Sequence, residues 1–145
     1  MAAIFPDDGL DVLLGQWPKN DTRETTANLC LFTSQTASTV QGHTGNLAGL
    51  TETTYTSYAR QSLATATWGA LAEYPTNAGR QTVYNSGTPV TFPTVGATGA
   101  TINGAFLTNG ANTKLIAQAN FSDLTAVTLA TNDVLKVTPT VALTH

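Results

Sequence analysis

Ala27-Asn28-Leu29-Cys30-Leu31-Phe32-Thr33 decides the fold, because it alternates as a strand does and is nearly apolar on both faces. An apolar run this short, flanked by polar segments, fits a strand covered on both sides better than a helix. It is read as the central strand of a sheet. Downstream, Tyr58 to Trp68 resumes the alternation and Gly69 closes it. Further strand candidates are Arg80 to Asn85, Pro89 to Phe92, Thr101 to Leu107, Thr113 to Phe121, Ala126 to Ala130 and Val134 to Leu143. Gly, Pro, Asn and Asp separate them, and Asn132-Asp133 in particular reads as a turn. Short strands with regular turn signals point to an antiparallel sandwich or barrel, and no helical segments separate them as a parallel sheet would require.

Upstream the periodicity changes. Asp7 or Asp8 can cap a helix in which Leu10, Leu13, Leu14 and Trp17 fall at i, i+3, i+4 and i+7, with Gly15 and Pro18 ending it. A helix this short needs its apolar stripe buried against the sheet or another subunit. Lys19 to Thr26 is a polar connector, and Ser34 to Ser57 a long polar stretch containing His43 with no period that holds a core. A loop of that length is expected to be functional or ordered by a partner. The chain is thus read as one domain over 1–145, with helix and connector at 1–26 and the sandwich at 27–145.

Composition agrees with the pattern. Of 145 residues 41% are hydrophobic but only 10% are charged, far under the usual quarter. Threonine fills the polar surface at about one residue in five. Its branched Cβ favours sheet over helix. Net charge is −3, with six Lys+Arg, which opposes a nucleic-acid partner because phosphate contacts need clustered cations. No run of 18 apolar residues exists to span a membrane, and Met1 to Leu14 carries acids where a secretory signal has a basic start. A weakly charged surface also leaves little repulsion between copies.

Few residues suggest chemistry. His43 and His145 are the imidazoles, one in a Gly/Thr-rich loop and the other the last residue. Neither has the context of a catalytic base, so the chain is read as no enzyme. Asp7, Asp8 and Asp11 are explained by helix capping, so no metal site is assigned, nor any cofactor. Cys30 is read as a small buried hydrophobe, having no adjacent positive charge to activate its thiol. The glycines of Gly96 to Gly104 are spaced unlike a phosphate loop and are read as a turn. Arg60, close to Tyr58 in a chain of few charges, is expected to form an ion pair, stack on a ring, or reach a neighbouring subunit. With Leu10, Leu13, Leu14, Trp17 and His43 it makes up the candidate interface.

Several motifs occur in a telling order: Tyr58-Ala59-Arg60-Gln61, Trp68-Gly69-Ala70, Val90-Thr91-Phe92-Pro93, and Ile102-Asn103-Gly104-Ala105-Phe106-Leu107. Leu115-Ile116-Ala117-Gln118-Ala119, Asn132-Asp133-Val134-Leu135 and a closing Thr/Leu strand follow. In order and spacing they resemble a family of small phage virion proteins labelled as capsid decoration, cement or tail-fibre proteins. The opening helix and the Asn28 to Thr33 strand fit the family's start, so the resemblance covers nearly the whole chain. It implies an all-β, jelly-roll type β-sandwich without catalytic residues. It further implies a protein made in the host cytoplasm and carried on the virion's capsid surface, where it binds the major capsid protein and self-associates as a trimer or dimer. The alternative it implies is a tail-tip or fibre-associated module that binds host glycan or another tail protein, with Tyr55, Tyr58, Tyr74 and Tyr84 as candidate sugar platforms. The chain departs from the family at Asn132, where a glycine often precedes the aspartate, and in the Ser34 to Ser57 segment. Asn tolerates left-handed backbone, so the turn is expected to survive.

Overall fold

A computed structural model describes residues 26–35, 47–64, 72–73, 82–85, 88–121 and 126–143. Every strand pairing among them is antiparallel, and the fold is all-β. The expected helix over Asp8 to Trp17, the connector up to Thr25, and His43 lie outside the described residues.

Strand β1, Thr26–Gln35, is the hub. Leu29, Cys30, Leu31 and Phe32 are all buried, as the apolar run demands of a strand covered on both faces. One edge of β1 pairs with β8, Gly104–Asn109, in the register Ala27↔Asn109 to Phe32↔Gly104, and β8 pairs in turn with β9, Leu115–Asn120. Two short strands share the other edge: β2, Leu50–Glu52, covers its C-terminal end and β3, Gln61–Ala64, its N-terminal end. A single turn of 3-10 helix, Leu47–Gly49, leads into β2.

The remaining strands form smaller ladders. These are β7, Ala100–Ile102, with β10, Val127–Leu129, and β6, Val90–Thr91, with β11, Lys136–Val137. The third has β12, Thr140–Leu143, on β5, Thr82–Asn85, and β5 on β4, Ala72–Glu73. Leu29, Leu31, Leu63, Leu107, Ala117 and Leu129 pack with Tyr55, Phe92, Val95 and Ile102 in the main core. Cys30, Phe32, Phe106 and Leu115 form a second cluster, flanked by Leu47 and Leu50. Alternation along β1 sends odd positions into the first cluster and even positions into the second.

The structure corrects five of the expected segments. Ser34 to Ser57 is no plain loop: Ser34 and Gln35 end β1, the 3-10 turn and β2 follow, and Thr53 and Tyr55 are buried. Tyr58 to Arg60 is not strand, because Ser57 has φ 80° and Tyr58 N–H closes a turn on Tyr55 O at 2.9 Å; β3 begins only at Gln61. Thr101 to Leu107 is broken at Asn103, whose N–H reaches Phe32 O at 2.9 Å although Gly104 is the register partner of Phe32. Two residues there oppose one, the geometry of a β-bulge. Gly104 must be glycine: a Cβ would lie 2.2 Å from Ala119 O and 2.7 Å from the Phe32 ring. Gly96 to Gly104 is therefore no mere turn, since it carries β7 and the bulge. Val134 to Leu143 likewise divides into β11 and β12.

The Asn132-Asp133 turn does form. Asn132 has φ 73°, Asp133 Oδ2 accepts Ala130 N–H at 2.7 Å, and Asp133 N–H donates to Ala130 O at 3.1 Å.

Candidate functional site

Where β2 ends and β3 has not begun, the edge of β1 has a gap, and Leu31 sits in it. Its carbonyl accepts Thr53 N–H at 3.0 Å. Its N–H has no backbone acceptor opposite, and donates to Tyr58 Oη at 3.1 Å. A buried main-chain donor needs a partner, so a side-chain hydroxyl here stands in for a ladder bond.

The turn at Tyr55–Tyr58 aims that hydroxyl. Tyr58 stacks on Phe92 with centroids 6.2 Å apart and planes at 10°, and meets Tyr55 edge-on at 5.3 Å and 67°. Tyr55 is fixed by donating its own O–H to Pro93 O at 3.2 Å. The Tyr58 O–H donates outward to Glu52 Oε1 at 2.7 Å. Glu52 is in turn gripped by Arg60, through Nε to Oε1 at 2.8 Å and Nη2 to Oε2 at 2.6 Å. This fork is the bidentate geometry that only a guanidinium supplies. The chain of contacts thus runs from the buried Leu31 amide to a half-exposed ion pair in four residues.

Ionisation follows from this packing. Burial pushes the Tyr58 hydroxyl well above its ordinary range, with the Glu52 carboxylate adding to the effect. Tyr55 is raised by burial alone. The hydrogen bonds to Glu52 raise Arg60 above the ordinary arginine range. Cys30, fully buried, is pushed up to about 12 by burial, with Glu52 adding to it. Its thiol stays protonated and apolar, as expected of a small buried hydrophobe. Chemically the cluster is a clamp: it closes the interrupted edge of β1 and holds Glu52 and Arg60 together at the surface.

Of the six candidate interface residues, Leu10, Leu13, Leu14, Trp17 and His43 lie outside the described residues, and Arg60 is placed in the clamp. The ion pair is thus the reading of Arg60 that the structure carries. Sequence reasoning missed Glu52, which it had left in a featureless polar stretch. The available signal was its rarity, an isolated acid eight residues from an isolated Arg in a chain of low charge. Among the described residues no group of three or more His, Cys, Asp or Glu could hold a metal ion, and no helix is long and apolar enough to cross a membrane. No protein family, curated protein or solved structure matches the chain.

Proposed function

We propose that the chain is a phage virion structural protein, a capsid decoration or cement protein that binds the shell of the major capsid protein and stabilises it. One observation carries the reading: among the described residues, the motifs that give the resemblance to small virion proteins are segments on which this fold depends. Tyr58-Ala59-Arg60-Gln61 supplies the clamp and the first residue of β3. Ile102 to Leu107 spans the bulge and most of β8, Leu115 to Ala119 is most of β9, and Asn132-Asp133 is the turn before β11. In this reading the strands belong to a jelly-roll type sandwich that provides a rigid body. The helix over Asp8 to Trp17 and the segment around His43 make the contacts, and copies associate as a trimer or dimer on the capsid surface.

Stabilisation of the shell requires no chemistry. A protein that binds assembled capsid subunits and not dissociated ones shifts the equilibrium towards the shell by mass action. Exposed Thr54, Thr91, Thr98, Thr101, Thr128 and Thr131 give a polar, weakly charged surface that loses little charge solvation on docking. The glycan-binding alternative loses two of its four tyrosines, because Tyr55 is buried and Tyr58 is engaged by Phe92, Leu31 and Glu52.

Cryo-electron microscopy of intact virions tests the proposal. Density for this fold repeated over the icosahedral shell is the expected result; density confined to the tail overturns it.

A further inference from the structure

The sequence contains two Asn-Gly steps, Asn103-Gly104 and Asn109-Gly110. Asparagine is among the heat-labile residues, and a following glycine offers no Cβ to block attack of its nitrogen on the side-chain amide. The two steps sit at opposite ends of β8. Asn103 is held at the bulge between β7 and β8: its N–H donates to Phe32 O at 2.9 Å, its carbonyl accepts Phe121 N–H at 3.0 Å, and its Nδ2 donates to Thr33 O. Gly104 is locked in register with both Phe32 and Asn120. Freeing this step means parting β1, β8 and β9.

Asn109 is the last residue of β8, at the tip of the hairpin to β9. Asn112, at φ 58°, turns the chain there and donates its N–H to Asn109 O at 2.9 Å. Asn109 is buried and ends the ladder of β8 on β1, opposite Ala27, so opening this tip breaks that last pair and leaves Asn28 to Phe32 paired with β8; hairpin ends open at far lower cost than central strands.

The two sites also differ in what they accept as product. Asn109 Oδ1 accepts Thr113 N–H at 2.8 Å and Lys114 N–H at 2.9 Å, while Nδ2 donates to Thr113 Oγ1 at 3.1 Å. A carboxylate keeps both backbone donors and gains the Thr113 hydroxyl, which rotates to donate. Backbone N–H groups aimed at a carboxylate favour its charged form. At position 103 the same change turns a donor into an anion facing Thr33 O.

We infer that Asn109 is a self-modification site of the folded protein, converting to aspartate, whereas Asn103 is preserved as the amide. The Gly110 nitrogen adds to Asn109 Cγ and gives up its proton. The Cγ–Nδ2 bond breaks, ammonia leaves carrying that proton, and a succinimide remains. Water opens the ring to a carboxylic acid, as aspartate or its β-linked isomer.

The test incubates the purified full chain at mildly alkaline pH, folded and in denaturant. Trypsin releases Gln81 to Lys114 with both asparagines, so fragment spectra must assign the acid to one of them. In the folded protein conversion at Asn109 is expected to run at least about tenfold faster than at Asn103, with both converting in denaturant. Equal rates in the folded chain, or an intact Asn109 where the denatured chain has converted, overturn the inference. The variants supply a second readout: Asn109→Asp is expected to melt no lower than the parent and Asn103→Asp below it. An Asn109→Asp protein melting as low as Asn103→Asp also overturns it.

Discussion

Replacing Tyr58 by Phe removes one oxygen and leaves the ring on Phe92. Two bonds are lost, from Leu31 N–H at 3.1 Å and to Glu52 Oε1 at 2.7 Å. Leu31 is fully buried, so its amide is left without an acceptor, a loss of about 1–3 kcal/mol. The bond to Glu52 contributes less than a buried charged pair, because that side chain is 23% exposed and keeps Arg60. About 1 kcal/mol is reasonable for it, giving a total near 2–4 kcal/mol. Urea unfolding should therefore shift to lower midpoint with an unchanged m value. The Leu31 amide should exchange faster with solvent than its neighbours in β1. A loss of under about 0.5 kcal/mol, the range of ordinary surface changes, or unchanged Leu31 protection refutes the clamp. Arg60→Ala is the contrast: with Arg60 37% exposed, its loss should cost only about 0.2–1 kcal/mol in the same assay.

Gly104→Ala drives a methyl group into Ala119 O and the Phe32 ring, and should lower stability by about 1–3 kcal/mol or more, read from the urea midpoint. Asn132→Val places a β-branched residue at φ 73° and should cost about 1–2 kcal/mol by thermal melting. Alkaline pH should destabilise the fold. The Cys30 thiol has an ordinary value of 9.0 and is pushed up to about 12, so above 9.0 the unfolded chain loses a proton that the folded chain keeps. The associated stability is complete below 9.0 and falls towards 12, by about 1.4 kcal/mol per pH unit for one such group. Tyr55 and Tyr58 add to the fall from 10.0 upward, so Cys30→Ala should flatten the onset just above 9.0 in denaturation curves taken across that range.

Legibility of the fold followed burial. Leu29 to Phe32 announced themselves because four consecutive apolar residues need cover on both faces, and β1 forms there. Asn132-Asp133 was legible because its signals are local: Asn132 takes the left-handed backbone and the Asp133 carboxylate accepts the N–H of Ala130. The bulge was not, since Asn103-Gly104 owes its form to Phe32, about 70 positions away. Tyr58 was misplaced in a strand because alternation records only which face is apolar; that its hydroxyl fills a gap at Leu31 is a tertiary fact. Thr53 and Tyr55 were lost in a polar stretch for the same reason, each being buried by contacts that no local period encodes. An ion pair was one of the readings open for Arg60, but its partner Glu52 was not legible.

The pairing of β1 with β8 also sets a waiting time during synthesis. Strand β1 is made before its partner, and Gly104–Asn109 follows only after some 70 more residues. At roughly 5–20 residues per second the ribosome takes about 4–14 s to supply that partner. Through this interval β2 and β3 can zip onto one side of the nascent strand, while Cys30, Phe32 and the open edge stay unmatched. Such a segment is a natural holding site for a chaperone, and slower translation of the stretch before Gly104 would lengthen its exposure.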